Sequence, residues 1–193
     1  IVDYLLANGL CGADERAFLE LDQKLLNHTD GSGIGIKSSD EYFGALTVIG
    51  GTIKLEGDRF VQTLDSRFPT SITADEISER LRQLTDEIGG SFENTLLMEP
   101  FLVKPDTPVI QALLNAYNEA TGEDAKPFTM GGGTYAREFK SGASFGPEKP
   151  WIKDPEWVGM MHGPDEGVSE DLLKQSFKIY ALTLDKLMQL DLQ

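Results

Sequence analysis

The chain has 193 residues, 40% of them hydrophobic, which is enough to bury a core in one domain or two small ones and too many for a disordered segment. The 17 Lys plus Arg against 32 Asp plus Glu give a formal charge of -15, which repels a nucleic-acid backbone and an anionic membrane and argues against both as partners. A single cysteine, Cys11, cannot close an internal disulfide, and with no signal peptide or long apolar run the expected compartment is the reducing cytoplasm.

The first residue is Ile1, and Ile1 to Leu6 already reads as part of a structured element, so the chain is expected to begin mid-protein. Asp14 is the expected cap of a helix in which Phe18, Leu21, Leu25 and Leu26 recur at helical spacing, ended by the polar run His28 to Ser32. Tyr42 to Ile49, Thr52 to Leu55 and Phe60 to Leu64 are rich in β-branched and aromatic residues. Breaks at Gly50-Gly51 and Gly57-Asp58 make them an antiparallel meander. Thr73 and Glu76 form a capping box, and Ile77, Leu81, Leu84 and Ile88 give one apolar stripe before Gly89-Gly90 stops the helix.

A further strand is expected over 92–103, and a boundary near residue 97 closes one α+β layer pair. Thr107-Pro108 then opens a helix holding Val109, Ile110, Leu113, Leu114 and Tyr117, which ends at Gly122. The last helix starts near Ser169, carries Glu170 and Asp171 in its first turn, and is expected to bury Leu173, Phe177, Tyr180, Leu184 and Leu187.

Three segments hold candidate chemistry. In Thr129-Met130-Gly131-Gly132-Gly133-Thr134-Tyr135-Ala136-Arg137, three glycines let backbone N–H groups approach an anion, with the Thr134 hydroxyl as a further donor. No Gly-Lys-Ser/Thr follows, so this is not a P-loop, and a flexible turn is the plainer reading. In Met161-His162-Gly163-Pro164-Asp165-Glu166-Gly167, His162 can be a zinc ligand or a loop residue bonded to nearby backbone. Asp165 and Glu166, next to the last helix, read as capping and dipole groups. In Leu64-Asp65-Ser66-Arg67-Phe68-Pro69, a strand-end arginine can present its fork to a carboxylate or simply pair with a surface acid. Trp151 and Trp157 read as packed covers of a proline-bearing loop, and His28 as a solvated loop residue.

In this order, these segments resemble the zinc metallopeptidases that include bacterial dipeptidases of the PepV type, carnosinases and aminoacylases, with the PepV-like branch the nearest. Gly35-Ile36, Asp40-Glu41 and Gly44-Ala45-Leu46-Thr47 look like that branch's lid domain, and Asp65 to Pro69 like its strand-end arginine motif. The glycine run, Ser144-Phe145-Gly146-Pro147 and the His162 segment look like the end of its catalytic domain.

The resemblance implies an α/β fold: a partial α+β lid (1–97), resembling a dimerisation domain, and then the C-terminal part of a zinc-peptidase catalytic domain (98–193). It implies dipeptide hydrolysis, with two zinc ions in the complete enzyme. His162 would hold one zinc, Arg67 would reach the substrate's terminal carboxylate, and Gly132, Gly133 and Thr134 would line the pocket for that carboxylate. No catalytic residue is expected in this portion; the general base and other ligands belong to an N-terminal half, which becomes the implied partner. Ser66 stands where the resemblance leads one to expect an aliphatic residue, Lys140-Ser141-Gly142 is more basic than expected, and the Glu148 to Val158 loop is longer. A non-catalytic module retaining the fold is the second reading, and a glycine-loop phosphate binder a distant third.

Overall fold

The computed structural model describes residues 1–149 and 151–191, so Pro150, within the long loop, and the last two residues of the second expected domain lie outside the described residues. Among these, the architecture mixes five α-helices with two small antiparallel sheets, in the order α1 (Val2–Ala7), α2 (Ala13–Leu26), β1 (Ser39–Asp40), β2 (Gly44–Ala45), β3 (Thr47–Glu56), β4 (Arg59–Arg67), α3 (Ala74–Glu87), α4 (Pro108–Thr121) and α5 (Glu170–Met188). The chain divides into two compact units, one comprising Ile1–Pro100 with Thr129–Gly131, the other Phe101–Phe128 with Gly132–Gln193.

In the first unit, the N-cap of α2 is Gly12, whose N–H donates to Glu15 Oε2 at 2.6 Å, so Asp14 lies inside the first turn and is not the cap. Its Leu21 and Leu25 join Ile34, Ile36, Leu46, Val48, Ile77, Leu81 and Leu84 in one buried cluster, flanked by Leu26, Leu64, Phe68, Ile72 and Phe92. The α3 capping box forms as expected: Glu76 N–H donates to Thr73 Oγ1 at 3.2 Å and Thr73 N–H to Glu76 Oε2 at 2.9 Å. Burying the Ile77–Leu81–Leu84 face contributes roughly 1.5–3 kcal/mol per side chain. Ile88, expected in that stripe, caps the helix and is exposed.

The meander is a hairpin instead. β3 runs through Gly50-Gly51 without a break, with one extra residue between Gly50↔Leu64 and Ile53↔Gln62. This is a β-bulge: Thr52 N–H turns to Thr63 Oγ1 at 2.8 Å, and a Cβ at Gly51 would lie 2.3 Å from the same oxygen. The glycines therefore mark a close approach within one strand, not a turn. The actual turn is Gly57-Asp58. Along β4, Gln62, Leu64 and Ser66 face inward while Asp65 and Arg67 face solvent, the two-residue alternation of a half-buried strand.

The strand expected over 92–103 is absent. Phe92 packs on the core and Glu99 Oε1 accepts from Ala74 N at 3.2 Å, but no strand pairs with the segment, and its β-rich composition gains no ladder.

The second unit is built on α4 against α5. Pro108 occupies the first turn of α4, and Gly122, in the left-handed conformation, ends it. Ile110, Ala112, Ala116 and Tyr117 are buried on α4, and Ile179 and Thr183 on α5. Ser169 caps α5 by accepting from Leu172 N. The face expected to be buried is the other one. Leu173, Phe177, Tyr180 and Leu184 are exposed, as is Met188, with Phe177 at 77% and Met188 at 86%. They form an i, i+4, i+7, i+11, i+15 stripe beside the buried one. α5 thus has two apolar faces, and the helical period alone does not say which one α4 covers.

Candidate functional site

At the end of β4, Asp65 and Arg67 project from the same outward face. Arg67 Nε donates to Asp65 Oδ1 at 2.8 Å and Nη2 to Oδ2 at 2.9 Å, while Nη1 donates to the Gly131 carbonyl. The pair holds the Asp65 carboxyl below its ordinary value, chiefly through the hydrogen bond from Arg67 and also through its charge, and raises the guanidinium correspondingly. Of five N–H donors on the guanidinium, three are engaged. Among the described residues one N–H on each terminal nitrogen has no partner, a donor of the kind that binds carboxylates. The arginine therefore has the surface acid of the plainer reading and still keeps donors for a second carboxylate.

Around this strand end, Asp40 is the hub of a network that the sequence reading missed. Its Oδ1 accepts from Tyr42 N at 2.9 Å and Phe43 N at 2.6 Å, closing the β1–β2 turn. Its Oδ2 accepts from both the backbone N and the hydroxyl of Thr70 at 2.7 Å, three residues beyond Arg67. The Tyr42 carbonyl accepts from the Thr129 hydroxyl, two residues before Gly131. These bonds lower the Asp40 carboxyl to about 2, the Phe43 N–H contributing most and the Thr70 hydroxyl next. An Asp two and three residues before the N–H groups it binds is a local signal legible in Asp40-Glu41-Tyr42-Phe43. The partners at Thr70 and Thr129 have no such signal.

In the second unit, Gly132 and Gly133 are exposed, and a Cβ at Gly132 would meet no atom within 4 Å. The Thr134 hydroxyl accepts from Ala136 N at 3.3 Å, capping the short 3₁₀ turn Tyr135–Glu138, and from Ser144 Oγ at 2.9 Å. Its own proton is left to donate.

His162 is exposed on a tight loop with φ 64°, followed by Asp165 at φ 61°. Gly159 N donates to the Asp165 carbonyl at 2.8 Å, Gly163 N to the Met160 carbonyl at 2.8 Å, and His162 N to Glu166 Oε2 at 3.0 Å. Glu166 thus folds back onto the His162 backbone, and the capping of α5 falls to Ser169. At Gly159 a Cβ would lie 1.8 Å from the Pro164 carbonyl oxygen, so only glycine permits this closure. Trp151 and Trp157, expected as packed covers, are exposed; Trp151 meets Phe128 edge to face at 5.5 Å.

Residues 12–186 match Peptidase family M20/M25/M40. The chain belongs to this family. It is 31% identical over 160 residues to "Putative dipeptidase SSP1012" of Staphylococcus saprophyticus, covering 81% of this chain and 33% of that protein. It is 28% identical over 188 residues to "Putative dipeptidase YtjP" of Bacillus subtilis, covering 97% and 39% respectively. A third relative, "Putative dipeptidase" of Staphylococcus epidermidis, is 28% identical over 165 residues, covering 84% and 34%. The chain thus spans between about a third and two fifths of the length of these relatives.

Peptidases of the M20 family are generally metal-dependent. Among the described residues no group of three or more His, Cys, Asp and Glu side chains comes together to hold a metal ion. His162 offers one imidazole, and among the described residues no further donors join it in a complete metal site. Among the described residues, no helix is long and apolar enough to cross a membrane.

Proposed function

We propose that this chain is the C-terminal portion of a PepV-like, zinc-dependent dipeptidase acting in the cytoplasm. The observation that supports it most is the family match over residues 12–186 together with the similarity to relatives named "Putative dipeptidase". In this reading, residues 1–97 are part of a lid domain and residues 98–193 the end of the catalytic domain. Arg67 uses its two remaining donors on the substrate's terminal carboxylate, and Gly132, Gly133 and Thr134 supply further donors to that carboxylate. His162 is one ligand of a two-zinc centre. The other ligands and the general base lie in an N-terminal portion of the same enzyme, which is the natural partner of this chain; nucleic acid and membrane are not partners.

The test is dipeptide hydrolysis by the full-length polypeptide, with zinc and with a chelator. Turnover lost on chelation and restored by zinc is the expected result. The 193-residue chain by itself is expected to be inactive, and addition of the N-terminal portion to restore activity. The alternative is a non-catalytic binding or assembly module retaining the fold, and the absence of turnover in a folded, zinc-loaded full-length protein would favour it.

A further inference from the structure

Arg67 is the last residue of β4, paired with Thr47 at the end of the β3–β4 ladder, and the chain beyond it has no register partner to fix its direction. The chain beyond it, Phe68-Pro69-Thr70, turns towards α3, with Pro69 fully buried. Two separate tethers hold this turn to the β1–β2 hairpin: Thr70 bonds Asp40 through both its backbone and its hydroxyl, and Ser71 Oγ bonds the Ser39 carbonyl at 3.2 Å. The same hairpin turn, through the Tyr42 carbonyl, takes the Thr129 hydroxyl and so anchors the entry to Gly131. Arg67 closes the circuit by donating to the Gly131 carbonyl. Three stretches far apart in sequence, 40–43, 67–70 and 129–131, are thus joined around one carboxylate with four donors on its two oxygens.

We propose that Asp40 is a positioning residue for substrate recognition: it fixes the strand end that carries Arg67 against the Thr129–Gly131 segment, so that the free donors of the guanidinium meet a substrate carboxylate in one orientation. The proposal rests on the carboxylate-binding reading of Arg67. Asp40 itself touches no substrate. Its effect passes through Thr70 on one side and through Tyr42 and Thr129 on the other. The ionised carboxylate suits the task because all four partners are donors, which an amide cannot match: an asparagine must turn its NH2 towards two of them.

The experiment uses the full-length polypeptide and compares a free dipeptide with the same dipeptide amidated at its C-terminus, for wild type, Arg67→Lys and Asp40→Asn. Wild type is expected to prefer the free carboxylate. Asp40→Asn is expected to raise KM for the free dipeptide about tenfold, leaving kcat within about threefold and the amidated substrate little affected, so that the preference collapses. Thr70→Val, which removes one of the four donors and keeps the backbone N–H, is expected to lose about two- to threefold of the preference.

A wild type with no preference for the free carboxylate overturns the reading of Arg67, and this proposal with it. A preference present in wild type, lost in Arg67→Lys and intact in Asp40→Asn overturns the positioning role alone. An equal loss on both substrates makes Asp40 merely structural and also overturns it. Should Asp40→Asn not fold, Thr70→Val decides, and an unchanged preference there overturns the proposal.

Discussion

Asp65 grips Arg67 side-on, two residues apart on one strand face, with Nε–Oδ1 at 2.8 Å and Nη2–Oδ2 at 2.9 Å. An intrastrand acid placed in this way fixes the plane of the guanidinium and leaves its far edge free. It also lowers the net charge offered to an incoming anion, so the carboxylate recognition proposed for Arg67 would depend on directed hydrogen bonds more than on attraction at a distance.

Arg67→Lys tests the proposed recognition directly in the full-length polypeptide. Lysine keeps the charge but cannot hold both oxygens of Asp65 and present two parallel donors to a second carboxylate. A charge-assisted hydrogen bond contributes roughly 1.5–3 kcal/mol, so kcat/KM on a free dipeptide is expected to fall about ten- to a hundredfold, with the amidated dipeptide less affected. Both partners are exposed, so the change in stability should stay under about 1 kcal/mol in a urea titration. Identical substrate preference in mutant and wild type would remove Arg67 from carboxylate recognition.

Asp40 links stability to acid. Its folded carboxyl titrates at about 2, below the ordinary 3.8, so the stabilisation it provides is complete above about pH 4 and is lost as pH falls towards 2. Asp30 is depressed in the same direction, chiefly by its hydrogen bond from Lys37 and then by Ser32. The stability gap between wild type and Asp40→Asn, measured by urea unfolding at several pH values, is expected to be constant from pH 7 to 5 and to shrink between pH 4 and 2. A gap independent of pH over that interval would mean that the carboxylate is not what those four donors hold.

Ser66 faces inward on β4 opposite Val48, and among the described residues its buried hydroxyl has no hydrogen-bond partner. An unsatisfied buried hydroxyl costs about 1–3 kcal/mol, and β-branched valine suits a strand. Ser66→Val should therefore stabilise the protein by about 1 kcal/mol, seen as a higher urea midpoint with an unchanged slope. Destabilisation would show that the pocket has no room for two methyl groups.

Gly159 permits the loop closure that carries His162. An alanine there would collide with the Pro164 carbonyl and push the loop open, while the α4–α5 packing is expected to survive. With His162 as the proposed zinc ligand, Gly159→Ala in the full-length polypeptide should lower bound zinc at limiting free metal by at least about tenfold, with near-wild-type far-ultraviolet circular dichroism. Full metal content would separate His162 from the metal centre.

What was legible in the sequence followed local chemistry. The Thr73–Glu76 box, Pro108 at the start of α4, Gly122 at its end and the Ser169 cap all act within a few residues of themselves. The hairpin was misdivided because a glycine pair that admits a neighbouring side chain reads the same as one that turns the chain. The segment 92–103 has strand-like composition, but composition does not supply a partner. In the candidate site, Arg67 could be found from its place before Phe68-Pro69, whereas its fork to Asp65 needed the strand register and the bonds from Asp40 to Thr70 needed the fold. His162 was legible as a candidate; its left-handed backbone and the return of Glu166 onto its N–H were not.

The uncovered stripe on α5 gives the separate chain a colloidal character. Leu173, Phe177, Leu184 and Met188 lie along one side of a helix in a molecule of net charge -15. At low ionic strength mutual repulsion reaches over about 30 Å and keeps copies apart; at 1 M salt it reaches only about 3 Å, and the apolar sides can meet. Light scattering from the 193-residue chain should therefore rise with sodium chloride instead of falling, and Phe177→Glu should abolish that rise by placing another charge in the middle of the stripe.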